Sequence, residues 1–420
     1  MLLEFAVENF RSIRDFQVLR LEADAVQPRY KWLDRNVATV DQRHRVLKTK
    51  VIYGANAAGK SNLIMALSYF QWAVLRSGYD DSSALESVDT FAFDPAYRTS
   101  PSHFEVRLLV HNISYRYGFT VSGKEGITAE WLFGSPGKKE VKYFTREGCT
   151  LDLSKTHLKA ARKLLAALET REALIGSRSL LLSRLGLLKN SEVVEVYNVI
   201  RNARIVNRTF EGEPSRSTVD VLSDPNQQTR VADFLRQIGI EIGELFVMNT
   251  FYDPTIERPI HLRRLVPDFQ GSEPVLYVRP PASAKEQSIS FRADTHLSRG
   301  TLKMLRLANT LLATLDSGGL LIVDEFESQL HTNISRTILK LFHDPETNPH
   351  NAQLIVATHD TNLLDPKLLR RDQISFVDKD EAGGSRVYAL SDIRGVRNDA
   401  SYEKDYLIGK YGGVPQIAGL

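Results

Sequence analysis

Four residues between positions 54 and 61 have the types and the spacing of a phosphate-binding loop. The sequence reads Gly54-x-x-x-x-Gly59-Lys60-Ser61. In such a loop the glycines let backbone N–H groups face a phosphate, the lysine reaches the β- and γ-phosphates, and the serine hydroxyl binds Mg²⁺. A glycine-rich turn before a helix is the alternative without chemistry. The apolar run before Gly54 and the helical run after Ser61 favour the phosphate loop.

Two acidic residues and one histidine follow apolar runs in the last third of the chain. Asp324 and Glu325 end the run that begins at Gly318, and His359 follows the run that begins at Gln353. Apolar runs of this length are typical of buried parallel strands, whose carboxyl ends present polar residues at one edge of the sheet. We predict that Asp324 holds Mg²⁺ through water, that Glu325 orients or deprotonates the attacking water, and that His359 contacts the γ-phosphate and that water.

A third set of residues lies at the predicted start of a helix. The segment His296-Leu-Ser-Arg-Gly-Thr301 precedes an amphipathic run with Leu305 and Leu312 on one face. Ser298 and Gly300 could present a hydroxyl, backbone N–H groups and the positive end of the helix dipole to an anion. A simple helix cap uses the same residues, and these residues alone leave both interpretations open.

The predicted elements that position these residues are strands and helices in alternating groups. Residues 50–53 are predicted to form the strand before the loop, and residues 61–75 carry apolar residues at the spacing of one helix face. A β-hairpin is predicted at the amino end, and antiparallel strands and then helices are predicted before residue 204. The predicted strands are 2–7, 16–21, 91–95, 104–110, 115–121, 127–133 and 142–145, and the predicted helices are 155–174, 180–188 and 192–203.

Composition restricts the class of protein only loosely. The chain has 420 residues, of which 42% are hydrophobic and 25% are charged, as in ordinary globular proteins. A net charge of +3 is too small to argue for nucleic-acid binding. The single cysteine, Cys149, excludes an internal disulfide and a cysteine-based metal cluster. No apolar run reaches about eighteen residues, so we expect no membrane span and a cytoplasmic location.

The order of these motifs resembles the ABC-type ATPase heads that RecF, SMC proteins and related enzymes share. Within that group the chain looks like the ABC-like AAA ATPases of bacterial abortive-infection and anti-phage loci, such as RloA, the ATPase of PARIS and the ATPase half of OLD nucleases. The matching segments are Glu8–Ser12, Asn56 within the loop, Leu297–Thr301, Glu327–His331 and Gly409–Gly412.

The resemblance implies that two subunits enclose two molecules of ATP, each with Mg²⁺. Ser298 and Gly300 of one subunit would complete the phosphate loop of the other, and Glu327–His331 would lie at the dimer seam. Lys60, Glu325 and His359 are the predicted catalytic residues, and Ser61 and Asp324 are the predicted metal ligands. The predicted nucleotide-binding residues are Gly54, Asn56, Gly59, Lys60, Ser61, Asn62, Ser298 and Gly300.

We therefore predict an α/β fold, an ABC-type ATPase head with an antiparallel β-meander lobe and a helical insertion. The expected divisions are 1–150 for the first half of the head with the β lobe, 151–250 for the helical insertion and 251–420 for the second half. The expected function is an ATP-driven sensor or scaffold in anti-phage defence that regulates a separate effector, expected to be a nuclease. A DNA-repair or DNA-processing ATPase of the RecF or SMC kind and a non-hydrolysing assembly module are the alternatives. Nucleic-acid binding stays open.

Overall fold

The computed structural model describes most of the chain, in two compact units. The described residues are 1–25, 28–78, 85, 88–137, 139–159, 162–163, 176, 178–188, 191–206, 216–251, 272–279, 290–397 and 400–415. The first unit comprises Met1–Asn207, Thr314–Glu327 and Ile338–Leu420, and the second comprises Arg208–Ala313 and Ser328–Thr337. Most of the helix predicted over 155–174 lies outside the described residues. The division at 150 and 250 stays a prediction.

Eighteen strands and ten α-helices lie in the described ranges. The strands are β1 Leu2–Glu8, β2 Gln17–Arg20, β3 Val37–Thr39, β4 Arg45–Leu47, β5 Thr49–Tyr53, β6 Ser102–Val110, β7 Ile113–Ser122, β8 Gly126–Ser135, β9 Val141–Glu147, β10 Thr150–Leu153, β11 Arg204–Val206, β12 Glu244–Phe251, β13 Ser272–Arg279, β14 Phe291–Arg292, β15 Leu320–Val323, β16 Gln353–Ala357, β17 Ile374–Lys379 and β18 Ser385–Ala389. The helices are α1 Lys60–Arg76, α2 Pro95–Thr99, α3 Leu181–Gly186, α4 Val194–Arg201, α5 Arg216–Val221, α6 Pro225–Gln237, α7 Ala293–His296, α8 Arg299–Ser317, α9 Thr332–His343 and α10 Tyr402–Leu407.

The larger sheet of the first unit is a seven-stranded antiparallel sheet. Its order is β10-β9-β8-β7-β6-β1-β2. The predicted meander and the predicted amino-terminal hairpin are therefore both present, and they form one sheet because β1 pairs with β6. The strand predicted over 91–95 is wrong, because Pro95 begins α2 and the Asp94 carboxylate caps that helix by accepting the Ala96 N–H at 2.9 Å. Helix α1 packs on this sheet through Phe70, whose ring is stacked on Phe119 and meets Phe5 edge to face.

The second sheet of the first unit carries the phosphate-loop strand. Its order is β11-β15-β16-β5-β17-β18, with every neighbouring pair parallel except β17 and β18. Strands β5 and β16 are fully buried, as their apolar runs predicted. The parallel strands end at Tyr53, Val323 and Ala357, so the residues that follow them lie along one edge. The predicted α/β class is confirmed.

A buried ion pair connects the antiparallel sheet to α3. Glu130 on β8 and Arg146 on β9 are fully buried, and their charged groups are 3.9 Å apart. The Glu130 carboxylate accepts hydrogen bonds from the backbone N–H of Leu181 (2.7 Å) and Leu182 (3.0 Å) and from the hydroxyl of Tyr117 (3.0 Å). Burial raises the pKa of Glu130, and these hydrogen bonds and the charge of Arg146 oppose the rise.

The second unit contains a three-stranded antiparallel sheet in the order β12-β13-β14. Strand β12 was not predicted from the sequence. Its residues form a short apolar run, and such a run is compatible with either a helix or a strand until a pairing partner is known. Across the described residues of the whole chain, no helix has both the length and the apolar content that crossing a membrane requires.

Candidate functional site

The predicted strand, loop and helix around residue 54 are all present. Strand β5 ends at Tyr53, and α1 begins at Lys60 after Gly59, which has a left-handed φ of +120°. A Cβ atom at Gly59 would lie 2.2 Å from the Ser385 hydroxyl oxygen, so only glycine fits there. Asn56 is exposed at the tip of the loop. Its contact with nucleotide stays a prediction.

The side chain of Lys60 lies back along the loop. Its ammonium group donates to the carbonyl oxygens of Gly54 (2.8 Å) and Ala55 (3.2 Å). Burial lowers the pKa of Lys60, and the negative charges of Glu327, Asp324 and Glu325 oppose that change. These carboxylates therefore lie close enough to Lys60 for electrostatic interaction.

Two serines from distant parts of the chain, Ser12 and Ser385, pack beside the phosphate loop. The Ser385 hydroxyl lies 2.6 Å from the carbonyl oxygen of Ala58 and 2.8 Å from the Ser12 hydroxyl. The Asn62 amide donates to that same Ser12 hydroxyl at 2.7 Å. Ser12 belongs to the Glu8–Ser12 segment of the family resemblance, for which no role was predicted, and Ser385 was not predicted at all. No local pattern marks a contact between residues that lie so far apart in the chain.

The last described residues pack beside the start of the loop. The Gly413 N–H donates to the Asp378 carboxylate at 2.9 Å, and the Tyr406 hydroxyl donates to the Gly413 carbonyl at 2.9 Å. A Cβ at Gly413 would lie 3.6 Å from the Cα of Gly54. Asp378 is on β17, and Asp380 lies in the turn to β18, where its carboxylate accepts the N–H of Gly384 at 2.7 Å. Both acids therefore have structural partners.

The two predicted acids directly follow β15. Asp324 is 9% exposed, and its N–H donates to the carbonyl of Val206 at 3.0 Å. Glu325 has a left-handed φ of +49°. That conformation costs a non-glycine residue of order 1–3 kcal/mol and is concentrated at functional sites. The backbone here is thus bent sharply as it leaves the sheet.

Glu327 connects this turn to the end of β16. Its Oε1 atom accepts the backbone N–H of His359 at 2.9 Å. Its Oε2 atom is buried and has no hydrogen-bond partner in the described part of the chain. The predicted position of Glu327 at the dimer seam stays a prediction. Its contact with His359 could not be deduced from spacing.

His359 belongs to the same group of charges. Burial and the nearby Lys60 charge lower the pKa of His359, and Glu327, Glu325 and Asp324 oppose the decrease. Because the pKa lies below its usual value near 6.5, the imidazole is mainly neutral at pH 7. The adjacent parallel strands β15, β16 and β5 bring Asp324, Glu325, His359 and the loop with Lys60 to one edge of the sheet, and their catalytic roles stay predictions.

The residues predicted to bind Mg²⁺ offer the right chemistry. Ser61 is the second residue of α1 and Asp324 follows β15, so the predicted ligands are a hydroxyl and a carboxylate oxygen. Mg²⁺ prefers hard oxygen ligands and keeps several of its waters. The buried Lys60 ammonium is the cation beside this group, and the Gly59 backbone leaves a cradle that a Cβ would fill. These residues fit Mg²⁺ bound with a nucleotide.

Ser298 and Gly300 lie in the second unit, at the start of α8. The Ser298 hydroxyl accepts the N–H of Thr301 at 3.1 Å, as a helix cap does. A Cβ at Gly300 would lie 2.4 Å from the carbonyl oxygen of Gln329, so this glycine lets the segment after the acids approach the helix. Action on a nucleotide in another subunit stays a prediction.

Comparison with known proteins gives one family and two solved structures. Residues 51–261 and 283–365 match the family described as "AAA domain, putative AbiEii toxin, Type IV TA system", which covers more than half of the chain. One is the SMC head domain from Thermotoga maritima, which is 14% identical in sequence and has a TM-score of 0.39. The match covers 92% of this chain and 98% of the SMC chain. The other is the Smc head domain with an extended coiled coil bound to the C-terminal domain of ScpA, from Pyrococcus furiosus. It is 13% identical in sequence and has a TM-score of 0.42, and the match covers 97% of this chain and 98% of the Smc chain. No curated protein matches the chain significantly in sequence.

Proposed function

Since the chain belongs to this AAA-domain family, we propose that it is an ABC-type ATPase head that binds ATP with Mg²⁺ and hydrolyses it to ADP and phosphate. The observation that carries the proposal is the group formed by Lys60, Asp324, Glu325 and His359 at the carboxyl ends of β5, β15 and β16. In open α/β proteins, ligands bind just outside the carboxyl ends of the parallel strands. A module that only binds nucleotide would not need Glu325 there.

Each residue of the group has a role in the proposed reaction. Lys60 and the N–H groups at the start of α1 bind the phosphates, and the ammonium must then exchange its two carbonyl partners for phosphate oxygens. Bound Mg²⁺, held by Ser61 and through water by Asp324, would neutralise developing charge. Glu325 accepts a proton from the attacking water as its oxygen bonds to the γ-phosphorus and the bond to ADP breaks. Neutral His359 can hydrogen-bond to that water or to the phosphoryl oxygens.

We further propose that the active form is a dimer in which each α8 start completes the nucleotide site of the other subunit. The cap at Ser298 leaves the first N–H groups of a 19-residue helix available to an anion. The nucleotide-dependent closure would be the signal that a separate effector, which we propose is a nuclease, receives during anti-phage defence. The cytoplasm is the location consistent with this role.

The test uses two variants that each lack one half of the site. Lys60→Ala removes the loop cation, and Ser298→Arg blocks the helix start. Each variant alone is expected to be inactive. If the halves combine across subunits, equal mixing gives half mixed dimers, each with one intact site, and roughly a quarter of wild-type turnover returns. ATP hydrolysis is measured by phosphate release after verified subunit exchange.

Two controls make the result decisive. Size-exclusion runs must show that both variants remain folded dimers, and co-purification of two differently tagged chains must show that mixed dimers form. No recovery in verified mixed dimers would reject the shared site, while loss of turnover in Lys60→Ala would still support the ATPase. Wild-type hydrolysis by Lys60→Ala would reject the phosphate-loop assignment itself.

A further inference from the structure

A stacked pair of aromatic rings, of which Trp32 is exposed and Tyr30 is partly buried, lies in the segment before the phosphate-loop strand. The rings of Tyr30 and Trp32 have centroids 4.4 Å apart and planes 19° apart. The Arg29 guanidinium lies 5.2 Å from the centroid of the Tyr30 ring. Trp32 is 52% exposed, although burial of so large an apolar side chain is favourable in most proteins. This exposed surface therefore suggests a binding role.

The Trp32 ring is held in place by the first unit. Its indole N–H donates to the carbonyl of Lys367 at 3.1 Å, so the half-exposed ring has no free donor. Residues Lys31–Asn36 form a 3₁₀ helix in which Asn36 is buried. The Asn36 amide donates to the Leu368 carbonyl (2.9 Å) and to the Gln373 side chain (2.7 Å). A ring fixed in this way loses little entropy when a ligand stacks on it.

Four cations accompany the stacked rings. Arg29, Lys31, Arg35 and Lys367 are exposed, and none of them has an ion-pair partner in the part of the chain that the structure describes. The one acid within the 3₁₀ helix, Asp34, lies 3.9 Å from the buried guanidinium of Arg370. These four cations outnumber the described acids beside them, which are Asp34 and Asp365, whose carboxylate accepts the Lys367 N–H at 2.8 Å. The local charge is therefore positive, although the whole chain has a net charge of only +3.

This surface lies away from the nucleotide site. Gln373, which binds Asn36, also donates to the Thr49 hydroxyl at 2.6 Å. Thr49 is the first residue of β5, and the phosphate loop follows its last residue, Tyr53. The aromatic pair is therefore anchored at the opposite end of the strand. Binding here does not require nucleotide at Lys60.

We propose that the basic aromatic platform, formed by Arg29–Trp32, Arg35 and Lys367, binds single-stranded nucleic acid. The four cations contact phosphates, and one base stacks on Trp32. Every base has a π face, so this contact tolerates any sequence, and a duplex hides those faces within its own stack. An acidic peptide would use only the cations and would leave the fixed aromatic ring without a function.

The test measures binding of a fluorescein-labelled oligothymidine by anisotropy in the absence of nucleotide. An oligomer of about 20 nucleotides exceeds the usual site size of one such module. Trp32→Ala is expected to weaken binding about 5- to 150-fold, the range for loss of one stacked base. Trp32→Phe keeps a ring and should lose less. Trp72→Ala changes another exposed tryptophan, on α1, and should leave the affinity unchanged.

Charge is tested separately. Lys31→Glu with Arg35→Glu should weaken binding strongly, whereas Lys124→Glu, an exposed cation in the turn after β7, should not. With four phosphate contacts, the logarithm of the binding constant should fall with the logarithm of salt concentration with a slope of roughly −3. A chain with Trp72 and Trp131 replaced by phenylalanine reports on Trp32 directly, because a stacked base quenches its fluorescence.

Several results would overturn the proposal. One is unchanged affinity for oligothymidine in a folded Trp32→Ala chain, or no quenching of Trp32. Another is equal binding of a duplex, and a third is binding of polyglutamate with the same dependence on Trp32, which would indicate a protein partner. Lys60→Ala should bind oligothymidine normally. Oligothymidine binding therefore tests the aromatic platform independently of ATP hydrolysis, which tests the ATPase proposal.

Discussion

Glu327 offers the sharpest test of how the site is organised. It accepts the His359 N–H at 2.9 Å, so it fixes the backbone that carries the predicted γ-phosphate contact. A hydrogen bond to a charged acceptor contributes about 1.5–3 kcal/mol and one to a neutral acceptor about 0.5–1.5 kcal/mol. Glu327→Gln should therefore weaken the hydrogen bond that positions His359 by about 1–1.5 kcal/mol, which corresponds to a decrease of about 5- to 12-fold in kcat. Glu327→Ala loses the whole bond and about 13- to 160-fold.

The pH profile of ATP hydrolysis separates positioning from simple damage. Glu327 raises the pKa of His359, so its removal should lower that pKa further. Neutral His359 would then persist to lower pH, and the acid limb of the kcat profile should move to lower pH in Glu327→Gln. Unchanged kcat in Glu327→Ala would refute the positioning role. A loss in Glu327→Gln as large as that of Glu325→Gln, well above the expected decrease of about 5- to 12-fold, would instead identify Glu327 as the base.

Three further substitutions test the site and the fold. Glu325→Gln should keep ATP affinity, lower kcat about 10²- to 10⁴-fold and accumulate closed dimers in size-exclusion runs with ATP; wild-type turnover would contradict its role as base. Gly59→Ala should weaken ATP binding at least tenfold in calorimetry because its Cβ meets Ser385 at 2.2 Å, and normal affinity would show that the loop adapts freely. Glu130→Ala should lower the free energy of unfolding by about 3–5 kcal/mol in urea, because Arg146 stays buried without its counter-ion. As a control, Glu140→Ala removes a half-exposed partner of Arg116 and should lower the free energy of unfolding by only about 0–1 kcal/mol.

The sequence predicted those parts of the site that depend on local order. The glycine spacing from Gly54 to Gly59 determines the loop, and apolar runs determine the strands that end before Asp324 and His359. Parallel strands share an edge, so these residues were expected to meet, and the structure brings them together.

Contacts across long separations could not be predicted in the same way. The hairpin at the amino end was recognised, but its pairing with β6 depends on which edges remain free after folding. Ser12 and Ser385 meet behind the loop because of that packing. The link from Glu327 to His359 depends on the left-handed turn at Glu325, which sequence patterns rarely reveal for a residue other than glycine.

The position of β5 in its sheet has a consequence for synthesis of the protein. Its two neighbours are β16 and β17, and β16 begins at Gln353, far along the chain from Tyr53. Ribosomes add about 5–20 residues per second, so the strand waits for roughly 15–60 s before either neighbour exists. The strands of the antiparallel sheet are all complete by Leu153 and can pair first. A nascent chain therefore carries its finished phosphate-loop sequence beside an apolar strand without partners, and this interval is when we expect it to need protection from aggregation.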